Sequence, residues 1–382
     1  MVFVESFNII SPLGNSGSEN FLQLYNDYSG VCHQNRSDID PDSFWASIIS
    51  EEQLEFLFSK INAIENYTRF EKLLIASVND SLKESSIDTT SPKTIFIFST
   101  TKGNISLLGQ QPELPSIREK LNLYYSGKVV SSYFKNPNKP VVISNACISG
   151  IVAILYAKRL LESGEYENAV VTGADLISKF IFSGFKSFQA LSPNKCTPFS
   201  LKRDGINLGE AGATIILTTQ KVKNPNKTKI QISGGSVCND SNHISGPSRT
   251  GKELSTAIDN ALQESKISYL DIDFISAHGT ATIFNDEMEA KAFNLSRLQD
   301  VPVNSLKGYF GHTLGAAGLV ESIISIQSLK EGVILPTSGF SELGVYPTIN
   351  ICSQKIYKIM KHCLKTASGF GGCNAAIVYS KS

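Results

Sequence analysis

The chain reads as a mixed α/β protein made of two successive units with the same grammar. Three observations predict this. Short runs of buried type, such as Thr94–Ser99, Val141–Ser144 and Ala169–Asp175, alternate with segments of helical period. A polar stretch containing Pro225 and four lysines, Lys221 to Lys229, divides the chain past its middle. Beyond it the alternation of strands and helices begins again, which implies parallel or mixed sheets covered by helices. The division gives one half at 1–221 and another at 222–382.

In chain order, Val2 to Ile10 is extended and apolar, Ser11 to Asn15 is a turn, and Phe21, Leu22, Leu24 and Tyr25 mark a short helix. Cys32 to Asn66 carries little pattern. Phe70 to Leu82 has helical spacing, Thr94–Ser99 is a buried strand, and 101–139 lacks a clear period. Val141–Ser144 is a β-branched strand closed by a tight Asn145-Ala146 turn. A long helix starts at or just after Cys147, with Ile148, Ile151, Val152 and Leu155 on one face and Gly164 as its stop. Strands follow at Ala169–Asp175 and Ala213–Thr218. The second half predicts a strand at Lys229–Ser233, a helix at Lys252–Glu264 and a strand running into His278. A helix after Asn285, a strand carrying Lys307, and a helix from Gly315 to Lys330 complete it.

Composition narrows the class. Of 382 residues, 41% are apolar and only 18% charged, which points to much buried surface and a subunit interface. Formal net charge is zero, which argues against nucleic-acid binding as the main activity. No basic segment leads an apolar stretch at the start, and no apolar run reaches spanning length. Seven cysteines without Cys-x-x-Cys spacing fit neither a disulfide framework nor a zinc site, so a reducing cytoplasm is expected. No Gly-x-Ser-x-Gly elbow, P-loop or Gly-x-Gly-x-x-Gly turn favours a hydrolase or dehydrogenase.

Cys147 is the candidate nucleophile. A cysteine on a strand-to-helix turn sits at the positive end of the helix dipole, which lowers a thiol pKa and favours a thiolate nucleophile. The alternative is a buried structural cysteine, a common core residue. Two more stretches bear on the choice: Asp273 to Thr282, a strand ending in His278-Gly279-Thr280, and Val303 to His312, with Lys307 and His312 five apart. Each histidine alone reads as a satisfied core or loop residue, and Lys307 alone as a solvated strand end.

Together these stretches closely resemble the elongating β-ketoacyl-acyl carrier protein synthases of the Cys-His-His type, in the thiolase superfamily. The resemblance rests on Asn145-Ala146-Cys147, the His278-Gly279-Thr280-Ala281-Thr282 loop, and the run from Lys307 through His312 to Gly315-Ala316-Ala317-Gly318. Gly369-Phe370-Gly371-Gly372 completes the order, and the likeness runs from about residue 5 to 380. It implies a thiolase-like five-layered α-β-α-β-α fold from two duplicated halves, with the site between them.

The resemblance implies decarboxylative Claisen condensation of an acyl group on Cys147 with malonyl-acyl carrier protein, in fatty-acid or polyene/polyketide-like synthesis. His278 and His312 donate from Nε2 to the thioester oxygen, and the backbone N–H groups of Cys147 and Phe370 form an oxyanion hole. Gly369, Gly371 and Gly372 allow the close approach this needs. Lys307 orders the site, and Glu289 is expected to pair with it. Asp286 is placed with Glu289 in the network that supports the site, although a first-turn acid also explains it, while Arg203, Asp204 and Glu210 read as structural. Thr280 and Thr282, with Ser245 as a weaker candidate, align with groups that bind the phosphopantetheine arm. No cofactor or metal of its own is implied, because phosphopantetheine arrives on the acyl carrier protein. Arg69, Lys72, Lys195 and Lys202 are candidate members of a basic patch for that acidic partner, though ordinary surface charge explains each of them. The family implies a dimer, either homodimer or heterodimer with another synthase-like chain.

Several positions depart from the family. Ile148 replaces Ser or Thr, Ile283 replaces Pro, and Ser368 replaces an aromatic residue, all expected at the acyl pocket. Thr197 stands where some relatives carry an Arg. Cys373 replaces Thr in a manner that resembles thiolases, which lack the Lys307/His312 run. A starter-unit synthase is disfavoured by His312, since that branch pairs Cys and His with Asn. A non-catalytic, chain-length-factor-like subunit is disfavoured by Cys147.

Overall fold

The computed structural model describes residues 1–381 except 62–65, 110–114, 221–227 and 242–245. The division expected at 221/222 and the candidate Ser245 therefore lie outside the described residues.

Ten strands form one sheet. In chain order they are β1 (Phe3–Ile10), β2 (Thr94–Ser99), β3 (Val141–Ile143), β4 (Asn168–Asp175) and β5 (Ala211–Thr218), then β6 (Ile230–Asn239), β7 (Phe274–Ser276), β8 (Val303–Asn304), β9 (His362–Gly369) and β10 (Cys373–Lys381). The spatial order is β8-β7-β9-β10-β6-β1-β5-β4-β2-β3. Each half thus has the order third, second, fourth, fifth, first. In each, the first three strands of that order are parallel and the remaining two antiparallel. The halves join where β1 pairs β6 antiparallel, through Phe3/Gln231 and Val4/Ile230. A repeat of topology at this level is the structural form of the duplication.

The helices repeat in step: α1 (Arg69–Leu82), α2 (Leu123–Tyr133), α3 (Ser149–Glu162), α4 (Lys179–Ser187), α5 (Lys252–Ser265), α6 (Ile283–Leu295) and α7 (Ala317–Glu331). Helices α1 and α2 cover the outer face of the first half, α5 and α6 that of the second. Between the half-sheets lie α3 and α7, packed on both, so the layers run α-β-α-β-α as expected. The middle position explains why α7 is buried from Ala317 through Leu329 on every side rather than along one stripe. The pair approaches through glycine. A Cβ on Gly150 would lie 2.7 Å from Leu319 N, and one on Gly318 2.6 Å from Ile151 N.

Two stretches without sequence pattern do carry structure. Residues 32–66 include short strands at Cys32–Gln34 and Phe44–Ser47 and a helix at Glu51–Ser59. In 101–139, α2 buries Ser126, Gly127, Val130 and Ser131, so small and polar residues hold the positions where an apolar period would show. The segment predicted as a strand through Lys307 is a correction. Strand β8 ends at Asn304, and Lys307 opens a helical turn, Lys307–Phe310.

Candidate active site

The site forms where the strand-end loops of both halves meet the start of α3. Cys147 lies between β3 and α3 on a turn in which Ala146 takes a left-handed φ of 44°. Ser149 Oγ accepts from Asn145 N and donates to Ala146 O, tying this turn to the first residue of the helix. A Cβ on Gly369 would stand 3.0 Å from Cys147 N, so the bare backbone there lets the last loop pass against the nucleophile turn. Gly371 and Gly372 instead supply left-handed φ values of 87° and 76°, and the near neighbour of Gly372 is Asp240.

Cys147, His278 and His312 converge. His312 Nε2 is 3.0 Å from Cys147 Sγ, and the two imidazoles meet edge-on with centroids 5.2 Å apart. All three side chains are buried. Lys307 Nζ spends its three protons on Glu321 Oε1 at 2.6 Å, His278 O at 2.7 Å and His278 Nδ1 at 3.2 Å. An ammonium can only donate, so Nδ1 of His278 accepts and its Nε2 carries the proton. Burial, then the charge of Lys307, holds both imidazoles well below the usual histidine range, so both are neutral at physiological pH.

The expected pairing of Glu289 with Lys307 is not what forms. Glu321, on α7, is the partner of Lys307, at 2.6 Å. Glu289 accepts the backbone N–H groups of His278 and Gly279 at 2.8 and 2.6 Å, together with Asn285 Nδ2 and Thr366 Oγ1. Asp286 does more than favour a helix dipole, since its carboxylate accepts from Thr280 N at 2.9 Å and Phe199 N at 2.7 Å. The two acids therefore fix the backbone of the His278 loop from below. Burial pushes both carboxyls up.

The thiol also departs from expectation. Helix α3 starts two residues beyond Cys147, and burial outweighs every favourable field, pushing the thiol up to about 11. Lys307 pulls it down most among the opposing influences, and the N–H of Phe370 adds to this. The resting group is a neutral thiol, and the neutral His312 is placed to take its proton during attack.

The pocket in front of Cys147 has a volume of about 560 Å³. Phe370, Thr280, Thr282 and Ile283 line it with both histidines. Thr280 and Thr282 share a hydroxyl hydrogen bond of 2.8 Å. Phe370 stacks on Phe185 at 5.8 Å and leans on Phe188 at 5.5 Å, forming an aromatic wall supplied by α4 and its C-cap. Of the three departures expected here, Ser368 and Ile283 line the pocket, whereas Ile148 is buried in the central core. Among the basic candidates, Arg69 turns inward to pair Glu210 at 3.0 Å, and Lys72 pairs Glu55 at 2.6 Å. Lys195 sits over the Trp45 ring and Lys202 is exposed.

The sequence reading missed Glu321, Lys365 and Asp175. Lys365 Nζ forms an ion pair with Glu321 Oε2 at 2.7 Å. Asp175 accepts from Thr101 N and Gly315 N at 2.9 and 2.7 Å, tying the end of β4 to the start of α7. A lone acid inside the apolar run Ala317–Leu329, and a lysine inside a buried strand, were the available signals. The donor atoms of Cys147, His278 and His312 lie within 4.8 Å of one another, a spacing a soft metal tolerates. With Lys307 donating to its Nδ1, however, His278 Nε2 has no lone pair to offer a metal.

A ten-stranded duplicated sheet with a Cys-His-His centre defines a condensing enzyme fold of the thiolase type. Two family models match: β-ketoacyl synthase, N-terminal domain, over residues 2–222, and β-ketoacyl synthase, C-terminal domain, over 230–341. The chain belongs to the β-ketoacyl synthase family. It is 32% identical over 247 residues to 3-oxoacyl-[acyl-carrier-protein] synthase 2 of Mycobacterium leprae, covering 62% of this chain and 59% of that relative. It is 26% identical over 412 residues to the synthase of the same name from Vibrio harveyi, covering 100% and 98%. The ketosynthase of Xenorhabdus doucetiae in complex with its chain length factor shares the fold at TM-score 0.86 and 24% identity, over 100% of this chain and 98% of that one. The ishigamide ketosynthase/chain length factor matches at TM-score 0.90 and 22% identity, over 100% and 99%.

Proposed function

We propose that this chain is a β-ketoacyl-acyl carrier protein synthase that condenses a Cys147-bound acyl group with malonyl-acyl carrier protein. The observation that carries this reading is the meeting of Cys147 Sγ with His312 Nε2 at 3.0 Å beside a His278 whose Nε2 proton is set by Lys307. Cys147 attacks the carrier thioester as His312 Nε2 takes the thiol proton, expelling the pantetheine thiolate, which solvent protonates, and retaining the acyl group as a new thioester. A malonyl thioester then enters the 560 Å³ pocket past Thr280 and Thr282, which hold its phosphopantetheine arm. Its carboxylate leaves as CO2, and the electron pair of the broken C–C bond flows into the thioester carbonyl. His278 and His312, the latter carrying on Nε2 the proton taken from Cys147, hold the resulting enolate oxygen through Nε2–H. The enolate carbon attacks the Cys147 thioester, whose oxyanion is held by the N–H groups of Cys147 and Phe370. Collapse expels the Cys147 sulfur, and His312 Nε2 returns its proton to it. No metal or resident cofactor has a part in these steps.

Acyl carrier protein is the proposed partner, in a reducing cytoplasm that suits seven unpaired thiols. A twofold assembly is the proposed state, either with a second copy or with a chain-length-factor-like chain. Strand β3 supports it, because it ends the ten-stranded sheet and has one edge unpaired among the described residues. The chain length factors named with the two structural neighbours favour the heterodimer as the second form. Mass spectrometry after incubation with a panel of acyl-carrier thioesters tests the function. An acyl adduct on Cys147 is expected, and its absence across the panel would leave a non-catalytic subunit as the better reading.

A further inference from the structure

Lys365 enters the site from a position that no motif marks. It stands on β9, fully buried, four residues before Gly369. Its Nζ is 2.7 Å from Glu321 Oε2, 3.2 Å from the carbonyl oxygens of both Ser276 and Ala277, and donates also to Thr366 O. Ser276 and Ala277 are the two residues that lead the chain into His278.

One carboxylate thus stands between two ammonium groups, Lys307 on Oε1 and Lys365 on Oε2. Without Lys365, both oxygens of Glu321 would be open to Lys307, and a closed, neutral pair would form. The contact then most exposed to loss is the longest that Lys307 makes, 3.2 Å to His278 Nδ1. With Oε2 already taken, the charge of Lys307 is only partly compensated and is directed at that nitrogen. The bonds to Ser276 and Ala277 hold the backbone of His278 in place at the same time.

We propose that Lys365 is a positioning residue of the condensing site. By holding the second oxygen of Glu321 and the carbonyls ahead of His278, it keeps Lys307 on Nδ1 and His278 in the tautomer that donates from Nε2. This rests on the condensing reading above and adds to it a residue that touches no substrate. The groups facing His278 are Lys307 from the helical turn, Lys365 from β9, His312, and Cys147 ahead of α3. Glu289 of α6 acts on its N–H, and Glu321 of α7 lies behind the lysines. Lys365 is one of the cations that depress both imidazoles, so removing its charge moves their titration upward toward the ordinary histidine range.

The test uses the full chain and its Lys365→Met and Lys365→Gln variants. Gln retains donors for the carbonyls but lacks the charge, and it serves alone if the Met variant does not fold. Histidine-selective 15N NMR reads the tautomer and titration of His278, with His278→Gln and His312→Gln spectra giving the assignments. Acyl loading of Cys147 and CO2 release from malonyl-acyl carrier protein are measured in parallel. The expected result is loss of the Nε2–H signature, an upward titration shift, and CO2 release lowered about tenfold with loading little changed. A wild-type His278 spectrum with unchanged CO2 release in the Gln variant overturns the proposal. So does an equal loss of loading and CO2 release with the tautomer intact, which marks a merely structural lysine. A wild-type chain that neither loads nor decarboxylates sinks the condensing reading instead, and the NMR readout still decides whether Lys365 positions His278.

Discussion

His312 Nε2 stands 3.0 Å from Cys147 Sγ, and the two residues come from opposite halves of the chain. Cys147 precedes α3 and His312 precedes α7, the two helices that cross at Gly150 and Gly318. The equivalent ends of a repeated unit are thereby brought face to face, so the catalytic distance depends on how closely two helix backbones approach.

The nucleophile is the first expectation. Cys147→Ala should fold and carry no acyl adduct, read by intact-protein mass after exposure to acyl-carrier thioesters. Cys147→Gln should retain CO2 release from malonyl-acyl carrier protein, since an amide stands in for the thioester while both histidines remain. Adduct formation at the wild-type rate in Cys147→Ala would move attention to Cys373, whose Sγ lies 2.9 Å from Asn145 Oδ1.

His278→Ala and His312→Ala should each lower CO2 release by about a hundredfold, the scale of a lost oxyanion donor. Loading should survive better in His278→Ala, because that imidazole does not contact Sγ within hydrogen-bond distance. Single-turnover assays of the two half-reactions separate these effects. Equal losses in both half-reactions from His278→Ala would contradict its assigned role.

The buried thiol has a definite pH signature. Its folded pKa, about 11, is above its ordinary 9.0, so the folded state binds the proton more tightly than the unfolded one. The stability this contributes is present below pH 9 and is lost as pH rises toward 11. Iodoacetamide alkylation of the free enzyme should accordingly keep rising through that interval rather than levelling below it. Lys307→Met should displace the profile further upward, because Lys307 is the strongest influence lowering this thiol. A plateau near neutral pH would show a resting thiolate.

Glu321→Gln strips the counter-charge from two buried ammonium groups, Lys307 and Lys365. Removing one partner from a buried ion cluster costs about 3–5 kcal/mol, to be read from chemical denaturation of the variant against wild type. A loss below about 1 kcal/mol would contradict a buried ion cluster of Glu321 with these two lysines.

Assembly is the last expectation. A tight twofold pairing along the free edge of β3 should bury more than about 2,000 Å2 in total. Light scattering at low micromolar concentration checks it. A stable, active species of one chain mass, 41.6 kDa, would count against any dimer, whereas an inactive monomer activated by a second synthase-like chain would select the heterodimer.

The amino-acid sequence alone carried the alternation of elements and its restart past the middle, and the resemblance of its motifs to a known family carried the catalytic trio. Those features are local: β-branched runs at Thr94–Ser99 and Val141–Ile143, a glycine stop at Gly164, and motifs whose residues lie within a few positions of one another. What only the tertiary structure decided is who partners whom across long separations. Glu321 rather than Glu289 takes Lys307, because α7 runs through the middle layer and presents its one internal acid beside the helical turn Lys307–Phe310. Lys365 belongs to the same cluster because β9 pairs parallel with β7, register Lys365/Ser276, two residues before His278. The state of Cys147 was also beyond the sequence. A strand-to-helix turn predicts a lowered thiol, but burial reverses this, with His312 Nε2 3.0 Å from Sγ and the Gly369 backbone packed on the turn, both more than one hundred and sixty positions away. Pairing and desolvation are set by packing between distant segments, and neither leaves a period in the chain.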